Sequence, residues 1–166
     1  MTEAQLSNAM DAYGSTVYRL ALTRMQNIAD AEDVYQEVFL RLWKQAAEDW
    51  DGDRAKAWLI RTTLNRCADL HRFRLRRPVL SFAEIPDLAQ PEDESRELWE
   101  AVSRLPEKAR TAVHLYYAEG YSAEEISQLM HIPAATVRTR LHRARRQLKE
   151  LLGGNDDEAC VSRFDG

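Results

Sequence analysis

The chain has only two cysteines, Cys67 and Cys160, among 166 residues. Two thiols do not form the disulfide framework of a small secreted domain, so a reducing, cytoplasmic setting is the simplest expectation. No apolar run approaches the ~20 residues that a membrane-spanning helix needs. The N-terminus lacks the basic-then-apolar order of a secretory signal. Membrane insertion is therefore not expected. No segment reads as a convincing strand, and none repeats. An excess of positive charge is missing too: 23 Lys and Arg face 27 Asp and Glu, a net charge of −4. Such a chain should bind nucleic acid poorly on its own, because that affinity rests mainly on phosphate contacts.

The position of the charge says more than its sum. Between Arg54 and Leu80 there are eight Lys/Arg, and between Ala134 and Glu150 six against one acid. The acids gather in 30–53, 84–100 and 156–165. Two basic patches set apart by acidic stretches point to two separate anionic contacts.

Apolar residues spaced by three and four predict helices throughout. Leu6, Met10, Tyr13, Val17 and Leu20 mark a first helix over 2–25. Asp30 caps a second through Gln45, with Val34, Val38 and Leu42 inward. A polar loop over 48–53 precedes a third helix over 54–74, with Ile60, Leu64 and Cys67 on one side. Residues 78–91 hold three prolines without a sustained period and read as a linker. A fourth helix over 92–105 follows. Pro106 starts a fifth that runs through Ala118 and stops at Gly120. The expected fold is all-α: two small helical domains, 1–77 and 92–152, joined by a flexible linker, with an acidic tail over 153–166.

The densest signal lies at 121–152. Ser122 and Glu125 form a capping box, and Ile126, Leu129 and Met130 make an apolar side. His131-Ile132-Pro133 breaks the pattern, with Pro133 fixing the start of the next helix. Val137, Leu141, Ala144, Leu148 and Leu151 then form one stripe. At roughly 100° per residue, Ala135, Thr139, His142, Arg143 and Arg146 lie opposite it. Arg138 and Arg145 fall on one flank and Arg140 on the other. Two helices with a tight turn, the second rich in arginine, make a helix-turn-helix able to enter a DNA major groove. Arginine there can bond guanine edges or phosphates bidentately.

Two earlier runs complete the pattern. In the run 30–43, DAEDVYQEVFLRLW, and the Lys44 that follows it, the residues Asp33, Gln36, Glu37 and Lys44 share or flank one polar helix face. In the third helix Trp58, Arg61, Asn65, Arg66, His71 and Arg72 mix aromatic, amide and basic groups. That mixture suits unstacked single-stranded bases and their phosphates.

In this order the three runs resemble a bacterial RNA polymerase sigma factor of the extracytoplasmic-function (ECF) group of the sigma-70 family. DAEDVYQEVFLRLW is similar to the family's helix on the clamp of the core enzyme, AWLIRTTLNRCADLHRFRLRR to its −10 segment, and 105–152 to its −35 domain. The resemblance implies that Asp33, Gln36, Glu37 and Arg41 meet core RNA polymerase, a β and β′ subunit partner. It implies that Trp58, Arg61, Asn65, Arg66 and Arg72 lie at the −10 element, with the loop over 50–56 capturing a flipped base. Arg138, Thr139, His142 and Arg143 would read the −35 bases, and Thr136, Arg140, Arg145 and Arg146 would hold phosphates. Promoter DNA and an anti-sigma factor are the other expected partners. The chain departs from the family in Thr139, where serine is frequent, in Cys67–His71, and in the acids of the 48–53 loop. It has no room for the added regions of larger sigma factors. The resemblance implies no catalytic residue, cofactor or metal.

Two rivals are weaker. A stand-alone repressor would use 122–152 but leave 30–43 and the basic third helix without purpose, and no dimer helix is visible. Cys67 and His71, four apart, have a zinc-compatible spacing, but a structural site needs four ligands and no second pair lies near.

Overall fold

The computed structural model describes residues 1–45, 52–76 and 93–153. The chain divides into two compact units, Met1–Pro86 and Asp87–Gly166. The described residues are helical, and no strand occurs among them. The residues expected to form the linker and acidic tail lie outside this description, apart from Gly153, which closes the last turn.

The first unit packs three helices: α1 (Glu3–Met25), α2 (Ile28–Lys44) and α3 (Gly52–Arg76). Thr2 caps α1 through a box with Gln5, each side chain bonding the other's backbone N–H. This satisfies donors that a helix start otherwise leaves open. Gln26 closes α1 in the left-handed region at φ 52°. The start of α2 differs from the expectation. Asn27, not Asp30, is the cap: its side-chain oxygen accepts from the Asp30 N–H at 3.1 Å. Asp30 sits instead in the first turn, where a carboxylate favours the positive helix end. Helix α3 is longer than expected at both ends. Gly52 and Asp53, expected in a loop, are already helical, and the Tyr13 hydroxyl donates to the Gly52 carbonyl at 3.1 Å. The rest of that loop, 46–51, lies outside the described residues.

Val17, Ala21, Val34, Val38, Leu42, Leu59 and Cys67 form the buried core of this unit. Each fully buried Val or Leu contributes roughly 1.5–3 kcal/mol. Cys67 is thus a small core residue, and Trp58 is half-buried against the same cluster.

The second unit holds α4 (Asp93–Ser103), α5 (Glu107–Val113), a π turn (His114–Ala118), α6 (Ala123–Met130) and α7 (Ala134–Leu151). Its core includes Leu98, Leu105, Val113, Leu115, Ile126, Leu129, Val137, Leu141 and Leu148. The buried Arg110 donates to the Leu105 carbonyl at 2.7 Å, across the start of α5. The fifth helix was expected to run unbroken to Ala118. It widens instead after Val113, and the Glu119 N–H reaches back five residues to the His114 carbonyl at 3.2 Å. Single π turns of this kind are rare and recur at functional sites. Gly120 follows at φ +76° with open space around it, so its backbone angle, not crowding, favours glycine there.

Candidate nucleic-acid interface

The helix-turn-helix is built from α6 and α7. Ser122 and Glu125 form the expected capping box, with both bonds at 3.1 Å. His131 then turns the chain in the left-handed region at φ 54°. Pro133 is the residue just before α7. Four members of the expected stripe, Val137, Leu141, Ala144 and Leu148, are buried. The fifth, Leu151, is 42% exposed, because the last turn of α7 runs past the elements that cover the stripe.

The opposite side of α7 is solvent-facing. Arg138, Thr139, His142, Arg143 and Arg146 are exposed, and Thr136 and Arg140 are half-exposed. The Thr139 hydroxyl donates to the Ala135 carbonyl at 2.9 Å, which leaves its lone pairs outward. The arginines thus form two classes. Arg143 and Arg146 stand on the open face. Arg138 and Arg145, both on one flank, are engaged within the unit. Arg138 Nη1 meets Glu124 Oε1 of α6 at 2.9 Å. Arg145 Nε donates to the Tyr117 hydroxyl at 2.5 Å, and its guanidinium lies 5.7 and 5.6 Å from the Tyr116 and Tyr117 ring centres. The two tyrosines belong to the π turn, which therefore anchors α7 by a cation–π clasp. Sequence periodicity carried no signal for this clasp, because Tyr116 and Tyr117 fit an α pattern equally well.

In the first unit, Asp33, Gln36, Glu37 and Leu40 recur at three- and four-residue steps along one side of α2. Asp33 and Gln36 are exposed, and Glu37 and Arg41 are half-exposed and paired at 2.9 Å. Leu40 is 47% exposed in the middle of this polar face, and Trp43 is 41% exposed at its edge. The sequence reading passed over Leu40. Leu40 stands in the mostly apolar run 38–43, where it looks like any core residue, and only its exposure marks it.

On α3, Trp58, Arg61, Asn65 and Arg72 fall within roughly 60° of one another about the axis. Arg61, Asn65 and Arg72 are exposed, and Trp58 offers only part of its ring because the rest packs on the core. Arg72 pairs with Asp69 on the same helix. Arg66 lies on a different side, roughly 100° away. Its Nη2 meets Asp33 Oδ2 of α2 at 3.3 Å. The structure thus joins two residues that the sequence reading assigned to different surfaces. Of the expected base-capturing loop, 52–56 forms the first turn of α3, and 50–51 falls outside the described residues.

A shallow cleft of about 580 Å³ lies between α1 and α2, lined by Met10, Gly14, Tyr18, Glu32, Tyr35 and Gln36. Burial, together with Glu32 for Tyr18 and Asp11 for Tyr35, raises both phenols above their ordinary value. Among the described residues no cluster of His, Cys, Asp and Glu has metal-binding geometry. No helix among them is long and apolar enough to cross a membrane.

Residues 9–77 match the sigma-70 region 2 family, and residues 95–148 match sigma-70 region 4. The chain is 34% identical over 161 residues to the ECF RNA polymerase sigma factor SigE of Mycolicibacterium smegmatis, covering 90% of this chain and 62% of that protein. It is 31% identical over 157 residues to the ECF sigma factor SigL of Mycobacterium tuberculosis, covering 89% of each. Its fold is similar to that of the sigma factor RpoE of Bartonella quintana, solved with the anti-sigma factor NepR. That match has a TM-score of 0.76 and 23% identity, and covers 92% of this chain and 99% of that one. CnrH, solved with the cytosolic domain of CnrY, matches with a TM-score of 0.64 and 25% identity, covering 93% of this chain and 92% of that one. With both regions present in their order, and relatives matched along most of their length, the chain belongs to the ECF group of sigma-70 family RNA polymerase sigma factors, the initiation factors that direct the polymerase to promoters.

Proposed function

We propose that this chain binds core RNA polymerase through α2 and gives it recognition of a −35 and a −10 element. The domain limits are 1–77 for core binding and the −10 element, 78–91 for the tether, and 92–152 for the −35 element. The observation that carries the reading is the open basic face of α7 opposite a buried stripe, in a chain that also presents the exposed α2 face. Asp33, Gln36, Glu37 and Arg41 meet the polymerase, and the exposed Leu40 adds an apolar anchor among them. Such a knob within a polar rim suits a partner surface. Arg138, Thr139, His142 and Arg143 read −35 bases, and Arg146, Arg140 and Thr136 hold phosphates. Asn65, Arg61 and Arg72 contact the opened −10 strand, and the exposed part of Trp58 stacks on a base.

The protein contributes no bond chemistry of its own. It stabilises the opened promoter, since extruding a stacked base costs a few kcal/mol that binding must offset. The reading places it in the cytoplasm with the polymerase, under an anti-sigma factor of the kind seen with RpoE of Bartonella quintana. Gel filtration of the purified chain with bacterial core polymerase, without DNA, tests the first step. Co-elution that Asp33→Arg and Leu40→Asp abolish is the expected result. Separate elution of a folded, inhibitor-free chain would return 122–152 to an isolated DNA reader.

A further inference from the structure

We infer that Glu124 is a positioning residue for base reading: it holds the Arg138 guanidinium by one nitrogen and turns the remaining edge toward a guanine of the −35 element. The inference rests on α7 being the −35 reader.

Glu124 lies in the first turn of α6, and Arg138 on the α7 flank that adjoins the open face. The contact is Nη1 to Oε1 at 2.9 Å. A guanidinium has five N–H donors in a fixed plane. Glu124 occupies the Nη1 side, so the edge formed by Nε and Nη2 remains available. A guanidinium edge with two parallel donors is what bidentate bonding to guanine O6 and N7 requires. The acid stands on a rigid base, because the Ser122–Glu125 box fixes the backbone of that turn.

Stability does not explain the pair. The two side chains are 58% and 67% exposed, and an ion pair in such a position adds little to folding. Nor does phosphate affinity explain it, since a carboxylate at a DNA-facing surface repels the backbone. What the pair does supply is orientation. A free arginine samples many rotamers, and fixing it beforehand removes part of the ordering cost of binding. Arg143, across the open face, has no such ion pair among the described residues and stands apart from this device.

The test uses holoenzyme, reconstituted from core polymerase and the full chain, on a promoter library randomised over the −35 element. Arg138→Ala should reduce the preference at one base pair by about tenfold or more. Glu124→Ala should reduce it at that same base pair by about three- to tenfold, with other positions unchanged. Glu124→Gln keeps an acceptor in place and should recover most of the preference. Adding Glu124→Ala to Arg138→Ala should change nothing further at that position. If Arg138→Ala relaxes one position and Glu124→Ala leaves it intact, or shifts all positions equally, the positioning role is overturned while the reader stands. If Arg138→Ala relaxes no position, Arg138 reads no base and the inference falls for that separate reason.

Discussion

The two units solve a similar problem in different ways. Each must bury an apolar stripe and still present basic groups. In the first unit, three helices of 17 to 25 residues bury their stripes against one another. A cross-helix ion pair among its described residues, Asp33–Arg66, links the face read as polymerase-binding to the helix read as −10-binding. In the second, four segments of 5 to 11 residues pack with the 18-residue α7, which is positioned by its stripe on one side and by an arginine clasp on the π turn at its flank. Its cross-helix pair, Glu124–Arg138, stays within the one helix-turn-helix. Long helices thus tie two surfaces together in the first unit, whereas short ones fix the aim of a single helix in the second.

The largest expected effect removes the stripe that aims α7. Leu141→Ala should cost about 2–5 kcal/mol. It should abolish −35-dependent transcription and spare co-elution with core polymerase through α2. Loss of both together would mean that the two units do not divide the work. Next comes the open face. Arg143→Ala should lower discrimination at one −35 base pair by ~1–3 kcal/mol. Equal losses on every −35 variant would make it a phosphate contact. On α3, Asn65→Ala should leave polymerase binding unchanged and slow promoter opening, followed by permanganate reactivity of −10 thymines. Unchanged opening would remove Asn65 from the site.

Smaller effects sharpen the contrast in how the helices are held. Tyr117→Phe deletes the acceptor of Arg145 and should lower the stability of the chain by about 1 kcal/mol, read as a shift in thermal midpoint. Arg66→Ala should change stability by less than about 1 kcal/mol, since its partner is exposed. A several-fold loss of promoter opening with intact polymerase binding would then show that Arg66 leaves Asp33 to reach DNA.

Most of this architecture was legible because burial writes a period into the chain. The stripes of α1, α2 and α7 appear in the sequence at three- and four-residue steps, and the Ser122 box announces α6. Other features leave no such trace. Asn27 and Asp30 are both good caps within one turn of each other, and only the backbone decides between them. The π turn keeps the apolar pattern of an α-helix through Leu115, so its extra width is silent. At the site, residue type located the basic faces but not their allocation. Arg138, Arg143, Arg145 and Arg146 look alike in sequence, yet two are engaged by neighbours and two stand open. Leu151 shows the opposite error: a stripe can continue beyond the surface that covers it.

The Glu124–Arg138 pair also bears on how the protein should respond to salt. A cation placed on a DNA phosphate releases condensed counterions, with a slope of roughly 0.9 in log affinity for each phosphate neutralised. A guanidinium already matched by a carboxylate, and aimed at a base, neutralises no phosphate and releases none. The six Lys and Arg between Ala134 and Glu150 therefore overstate the ionic grip of α7. Selectivity at the Arg138 position should then persist across ionic strengths that weaken the holoenzyme's overall hold on DNA.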